Sequence, residues 1–443
     1  MKTKLLFACM LATFTLSANA QENTETKKFI LETPQQTETV NTLLKMVKER
    51  YIFEDVAKKI DSYISQKLQK NAYQDLKDPA EFANALTRDL QFVSGDKHLR
   101  LRYSAEVLPK QQETEIMEIP PSEKENFGKM LRYENYGIRK LEVLKGNIGY
   151  LDIAFFCAPE FAGDTYAAAL NYLAHTDQLI IDLRKCGGST SPDAIPFICS
   201  YFFETPVHLN DLQWRKGNKV TQAWTYAYVP GKKYLNKPIY ILTSNGTFSG
   251  AEELAYDLQN LKRATIIGQI TGGGANPGAD LRVNDHFAAF IPLGRAVNPI
   301  TKTNWEGVGV KPDTLINSRL ALTKAQEMAM ENTLKTTKDQ QWQNAVSGWL
   351  TELKNNKTVL KPLAFELKGF PKAAEVYVVG SFNDWSATST KMKKQGNKWI
   401  AQTEAEPGKV TYKFIVDGNW ILDPDNPTTE TDGGNTNSVI SLK

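Results

Sequence analysis

Apolar residues recur three and four positions apart through the first part of the chain: Val40, Leu43, Leu44 and Val47, then Phe82, Leu86 and Leu90. That spacing puts them on one helical face. It predicts a small helical bundle from about Thr37 to Phe92, closed by the turn Ser94-Gly95-Asp96. Residues from about 105 to 137 are polar and proline-containing, with no clear period. Between Leu141 and about Leu322 continuous apolar runs take over: NIGYLDIAFF (147–156), QLIIDLR (178–184), KPIYILTS (237–244) and RATIIGQI (263–270). Amphipathic stretches such as Glu160 to His175 and Gly250 to Leu261 separate several of them. Strands apolar along their whole length, alternating with helices, predict a largely parallel sheet covered on its faces. Leu322 to Leu350 reads as helical and charged. Thereafter the pattern is short alternating strands, VYVVGSF (376–382), KWIAQTEA (398–405), VTYKFIV (410–416) and NSVISLK (437–443), with Gly, Asn and Pro turns between, as in a β-sandwich.

The chain of 443 residues exceeds one ordinary core. The divisions expected are a leader over 1–20, an N-terminal helical domain over 21–104, and a catalytic domain over 105–350 with a connector at 105–140. A polar linker at 351–357 (TELKNNK) and a sandwich over 358–443 complete the chain. Gln21 to Lys28 reads as a flexible lead, and the connector shows no sign of an inserted PDZ domain. In the leader, Lys2 and Lys4 precede the apolar stretch Leu5 to Leu16 and the small-residue site Ala18-Asn19-Ala20. This is a secretory signal pattern, too short to span a bilayer, which needs about 20 residues. The expectation is a periplasmic or secreted protein with no membrane span. Cys9, after Leu6-Phe7-Ala8, would be a lipid-attachment site in an alternative reading, against which stands the very short apolar run before it.

Charge narrows the partners. There are 53 Lys and Arg, two of them in the leader, against 50 Asp and Glu. Such a balance leaves no electrostatic footprint for nucleic acid. Past the leader only Cys157, Cys186 and Cys199 remain, an odd number that excludes a disulfide scaffold. No Cys/His pair has zinc-site spacing, and no metal or cofactor is expected.

Candidate chemistry begins at Ser249, between the strand ending ILTS (241–244) and the helix starting at Gly250. A serine there is exposed at a sheet edge beside free helix N–H groups. The same residues, Ser249 to Glu252, also spell a capping box. In IIDLRKCGG (180–188), Gly187 and Gly188 let backbone amides approach a substrate; one of them with the Gly250 N–H would make a two-donor oxyanion site. A serine needs a base. Of the four histidines, His175 ends an amphipathic helix, His208 lies in no motif, and His286 sits in a hairpin (283–287). His98 stands at the mouth of the alternating LRLRY (99–103). Glu306, in NWEGVGVKPD (304–313), is a carboxylate able to orient an imidazole.

GYLDI (149–153), IIDLRKCGG (180–188), TSNGTFSGAEELAYDLQNLKRATIIGQITGGG (243–274) and NWEGVGVKPD (304–313) occur in the order seen in tail-specific, C-terminal-processing peptidases. The chain resembles the branch that includes tricorn-type proteases and the interphotoreceptor retinoid-binding protein, over about 140–320. The resemblance implies an α/β, crotonase/ClpP-like catalytic core, with Ser249 as nucleophile and Glu252 as first-turn acid. It also implies oxyanion amides at the glycine turn. Where many bacterial members carry a dyad lysine, this chain has Gly274. Tricorn-type relatives instead pair the serine with a histidine supported by a downstream glutamate, positions that His98 and Glu306 match. The serine that precedes the tricorn histidine is Lys97 here.

VYVVGSFNDWS (376–386) and TYKFIVDGNWILDPDNP (411–427) resemble the glycogen-binding module of AMP-activated kinase β subunits and starch-branching enzymes, an early-set β-sandwich. The resemblance implies sugar contacts at Trp385, Lys413, Trp420 and Asn437, since aromatic faces suit apolar pyranose surfaces. A docking or structural module is the alternative. Three functions therefore compete: a serine peptidase acting on a peptide or protein and carrying a module for an α-glucan or other glycan; a hydrophobic-ligand binder of the same fold; and a glycan-tethered esterase.

Overall fold

The computed structural model describes residues 30–110, 121–387 and 389–443. The leader, the lead Gln21–Lys28 and part of the connector lie outside them. Among the described residues the chain divides into two compact units, the first ending at Val346 and the second starting at Ser347.

The first unit opens with three helices, α1 (Thr33–Arg50), α2 (Glu54–Gln69) and α3 (Pro79–Ser94). Their periodic apolar residues are buried as the spacing predicts, with Val40, Leu43, Phe82, Leu86 and Leu90 fully enclosed. Asp78 caps α3 by accepting from the N–H groups of Ala80 and Glu81, and Gly95 ends it in the left-handed conformation. Strand β1 (Arg100–Tyr103) follows, and then α4 (Pro121–Tyr133). Next come β2 (Ile138–Leu144), β3 (Ile148–Ile153), α5 (Pro159–Leu173), β4 (Gln178–Asp182) and α6 (Ala194–Cys199). The chain continues through β5 (His208–Trp214), β6 (Val220–Trp224), β7 (Ile239–Thr243), α7 (Gly250–Asn260) and β8 (Thr265–Gly268). It closes with β9 (Gly278–Arg282), β10 (Phe287–Pro292), β11 (Gly294–Val297), β12 (Thr314–Leu315) and α8 (Ser318–Thr336).

The central sheet has the order β12-β8-β7-β4-β3-β2. All neighbours are parallel except the β2–β3 edge pair. Residues of β4 and β7 are buried without exception, because helices cover both faces. Leu179, Ile181, Ile239, Ile241 and Ile266 share one core with α5 and α7. On the other face α8 packs against β4, β7 and β8, and the buried Gln178 donates to Ala329 O and Thr333 Oγ1. A second core joins α1–α3 to the antiparallel sheet β1-β10-β9. A third sheet has the order β11-β5-β6. Cys157, Cys186 and Cys199 are free and buried.

Helix α9 (Gln340–Asn355) runs through the division between the units. The expected linker 351–357 is therefore mostly helix: Glu, Leu and Lys are good helix formers, and a polar run is not by itself a break. The second unit then forms two antiparallel sheets. One is β13 (Lys361–Lys368), β16 (Lys398–Ala405) and β15 (Lys393–Gln395), reached after β14 (Val376–Gly380). The other joins β14 to β17 (Gly408–Val416), which pairs with β18 (Asn419–Ile421) and, through β20 (Asn435–Leu442), with β19 (Thr429–Asp432). Their inner faces meet through Phe365, Leu367, Trp399, Val378, Tyr412 and Phe414. No helix among the described residues is long and apolar enough to cross a membrane.

Candidate functional site

Strands β4 and β7 are parallel neighbours, so the loops leaving their carboxyl ends lie side by side, the usual place for a site in an α/β sheet. The β4 loop ends in Gly187-Gly188 and the β7 loop in Phe248-Ser249. Ser249 is half-buried, with φ 56° and ψ −125°. A non-glycine residue held there stores on the order of 1–3 kcal/mol. It occupies the N-cap of α7 in a capping-box arrangement, its N–H donating to Glu252 Oε2 at 2.8 Å. Capping by this residue does not exclude a catalytic use of its side chain.

Gly188 presses against the serine. Its φ is +125°, and a Cβ placed on it would stand 2.8 Å from Ser249 Cβ and 3.3 Å from Gly250 N. The two glycines of the turn are not equivalent. Gly187 N–H donates to Ala154 O at 3.0 Å and is committed to the fold. The N–H groups of Gly188 and Gly250 donate to no acceptor among the described residues. Both remain available beside Ser249.

Glu252 is fully buried. Besides Ser249 N–H, its carboxylate accepts from Thr271 Oγ1, Gly273 N at 2.6 Å and Gly274 N at 2.8 Å. Burial nevertheless pushes its pKa up to about 7. Through this carboxylate the nucleophile's backbone and the loop 271–274 are one hydrogen-bonded unit. The loop is also tied to its other neighbours. Lys97 Nζ donates to Gly272 O at 2.6 Å, and Trp305 Nε1 to Gly274 O at 2.8 Å. Gly274 has a steric reason: a Cβ there would collide with the Phe248 ring and lie 2.7 Å from His98 Cε1. No lysine fits at that position.

His98 is 2% exposed, and its ring lies between Phe248 (centroids 4.6 Å) and Phe290 (5.5 Å). Burial, helped by the Arg100 charge, pushes its pKa down to about 3, so the imidazole is neutral. Its Nδ1 is buried with no hydrogen-bond partner, and so is Glu306 Oε1. Donor atoms of Asp96, His98 and Glu306 all lie within 4.8 Å of one another. The other Glu306 oxygen accepts from Ala275 N at 2.6 Å. Burial, then the neighbouring Asp96 charge, pushes the Glu306 carboxyl up to about 8.

The structure thus brings His98 and Glu306 together from distant parts of the chain and sets Ser249 one residue from a ring that touches His98. No hydrogen bond joins Ser249 to His98. Sequence reasoning passed over Asp96, which is the hinge of the cluster. Its Oδ1 accepts from His98 N at 2.9 Å, and its Oδ2 from Tyr51 Oη at 3.2 Å and Asn276 Nδ2 at 2.9 Å. The only available signal was its place two residues before the chosen histidine, in what reads as a plain turn. Phe248 and Thr271 carried no signal at all.

In the second unit the sugar-contact candidates are traced by register. Lys413 and Ile415 alternate with the core residues Tyr412 and Phe414 along β17, so they face outward. Trp420 is opposite Ile415, and Val439 is opposite Thr411, which places Asn437 on that same outer face. Trp420 is 49% exposed. Trp385 is half-buried after the turn Ser381–Asn383, its N–H donating to Gly380 O.

Residues 147–316 match the family model "Peptidase family S41", and residues 20–133 match the N-terminal domain of that family in eukaryotic IRBP. Residues 362–443 match the glycogen recognition site of AMP-activated protein kinase. That module is 36% identical over 83 residues to the kinase subunit beta-1 of Sus scrofa, covering 19% of this chain and 65% of the subunit. It is 39% identical over 69 residues to subunit beta-2 of Homo sapiens, covering 16% and 25%. The chain thus spans less than two thirds of these relatives. Among solved structures, a lipoprotein from Streptococcus agalactiae aligns with TM-score 0.44 at 16% identity, covering 71% of this chain and 99% of the other. A putative peptidase from Parabacteroides merdae aligns with TM-score 0.43 at 17% identity, covering 64% and 90%.

Proposed function

We infer that this chain, a serine peptidase by its family S41 domain, cleaves peptide bonds with Ser249 as nucleophile and His98 as general base. The observation that carries the reading is the strained Ser249, backed by Gly188 and flanked by the two uncommitted N–H groups of Gly188 and Gly250. Attack by Ser249 Oγ on a carbonyl carbon would place the developing oxyanion against those amides, and the serine proton would pass to His98. Glu306 would orient the imidazole and stabilise the imidazolium, a task for its ionised form. A neutral buried imidazole is a competent base, though an inefficient one until substrate binding or Glu306 ionisation raises its pKa.

The test is labelling with a serine-directed fluorophosphonate followed by mapping of the modified residue. Label on Ser249, lost in Ser249→Ala, is the expected result. No label on a folded chain would leave the ligand-binding reading of the same fold.

We propose in addition that the second unit binds an α-glucan or related glycan on the outer face carrying Lys413, Trp420 and Asn437, with Trp385 beside it. The exposure of Trp420 supports this, since a buried ring cannot stack on a sugar. Export is proposed from the leader pattern of residues 1–20 alone; the mature N-terminus, expected at Gln21, is read by N-terminal sequencing of protein from the cell envelope or medium.

A further inference from the structure

The cluster beside the proposed nucleophile holds more than an imidazole and its orienting carboxylate. Asp96, His98 and Glu306 each present one donor atom, and the three atoms lie within 4.8 Å of one another. Two of these side chains have an orphaned buried atom. His98, 2% exposed, leaves Nδ1 unpartnered, and Glu306 leaves Oε1 unpartnered. A buried polar atom without a partner costs about 1–3 kcal/mol, and two in one small space point to something that fills both at once.

We propose that Asp96, His98 and Glu306 form a binding site for a borderline divalent transition-metal cation, with Zn2+ as its representative, and that occupancy switches the peptidase off. The donor set selects the ion. One imidazole nitrogen and two carboxylate oxygens suit zinc, whereas calcium and magnesium take oxygen alone. Tetrahedral zinc at about 2.0–2.2 Å from each ligand needs donors roughly 3.4 Å apart, so the cluster closes modestly around the ion. Glu306 can supply that movement through Oε1, since its backbone ties, to the N–H groups of Ala275 and Asn276, leave that atom unpartnered. Asp96 is already oriented by hydrogen bonds from Tyr51 Oη and Asn276 Nδ2, as the carboxylate ligands of metals commonly are. Charge agrees as well. Two carboxylates share the space. A divalent cation satisfies both acids.

The consequence is the reverse of a metalloenzyme. A ligated imidazole accepts no proton from Ser249, so zinc inhibits and a chelator restores activity. Inhibition rests on the peptidase reading; binding does not.

The experiment therefore uses the full mature chain without a polyhistidine tag, in the Ser249→Ala form, titrated with zinc against a chromophoric chelator. One Zn2+ per chain is expected. Asp96→Asn and Glu306→Gln should each weaken it at least tenfold, with far-ultraviolet circular dichroism confirming the fold, while His208→Ala leaves it unchanged. Absence of a one-to-one site, or undiminished binding in both folded carboxamide variants, overturns the site. Inhibition is read separately on the active chain. Stoichiometric zinc that leaves hydrolysis untouched overturns the switch. A Ser249→Ala chain that binds zinc yet still hydrolyses peptides condemns the nucleophile assignment and leaves the metal site standing.

Discussion

At the carboxyl ends of β4 and β7 the candidate catalytic groups are held by backbone and by buried charge. Ser249 sits at φ 56°, and Glu252 gathers four donors from two stretches of chain. On the outer face of β17, β18 and β20, by contrast, Lys413, Trp420 and Asn437 are positioned by strand alternation and register alone. The first arrangement is strained, dry and intolerant of an added methyl group. The second is relaxed and wet, and a substitution there loses a contact without disturbing a fold. Stability and function are coupled in one region and separable in the other.

The largest effect that would break this contrast is at Ser249. Ser249→Ala should lower kcat by a factor on the order of 10⁴ or more, the scale for losing a serine nucleophile, while circular dichroism stays unchanged. Full hydrolysis by that variant would remove the catalytic half of the comparison. Gly188→Ala comes next. Its Cβ would press on Ser249 from a backbone that L residues rarely adopt, so it should cost about 1–3 kcal/mol and most of the activity together. Thermal unfolding and peptide hydrolysis on one preparation check the coupling; a silent Gly188→Ala would mean that the turn is soft.

Asp96→Asn sharpens the electrostatic side. With His98 pushed down to about 3, the kcat/KM profile should lack a histidine limb near the ordinary 6.5 and should instead rise as Glu306 ionises at about 8. Removing the Asp96 charge lets Glu306 ionise earlier, moving the limb down by about one pH unit. A limb that stays in place in the variant would assign it elsewhere. Stability has the opposite pH sense. A carboxyl raised above its ordinary 4.5 favours the fold below that pH, and the benefit is lost as pH rises through about 8. Glu306→Gln should thus flatten the fall in Tm between pH 5 and pH 9. The smallest effect on the fold belongs to Trp420→Ala: stability within about 0.5 kcal/mol of the parent, with retardation in glycogen gels weakened about tenfold or more. A stability loss as large as that of Gly188→Ala would show that the outer face is part of the core.

Much of this architecture is legible in the sequence because it follows from pattern. The runs 178–184 and 237–244 could only be buried strands, and the alternation in 410–416 named its own inner and outer faces. The end of helix α9 beyond Leu350 was read as linker because TELKNNK is mostly polar, and polarity alone does not distinguish an exposed helix end from a linker. The site was legible where a residue type is scarce, as with four histidines, and opaque where it depends on fold. Nothing in the run Ser94-Gly95-Asp96 says that Tyr51 and Asn276 will converge on that carboxylate. Nothing in the glycines of 272–274 says that a Phe248 ring and an imidazole will occupy the space a side chain would need. The same limit hid the difference between Gly187 and Gly188, which rests on one hydrogen bond to Ala154.

The Asp96–His98–Glu306 cluster also has a bearing on synthesis. Asp96 and His98 leave the ribosome early, Ser249 and Glu252 much later, and Glu306 later still. Domains tend to fold as units, and contacts this distant in sequence form only after long loops have closed. A nascent chain therefore holds the candidate base before the candidate serine, and both before Glu306. Whatever cleavage this unit performs begins only when the chain is long enough to have finished folding, which spares the unfolded polypeptide from its own active site.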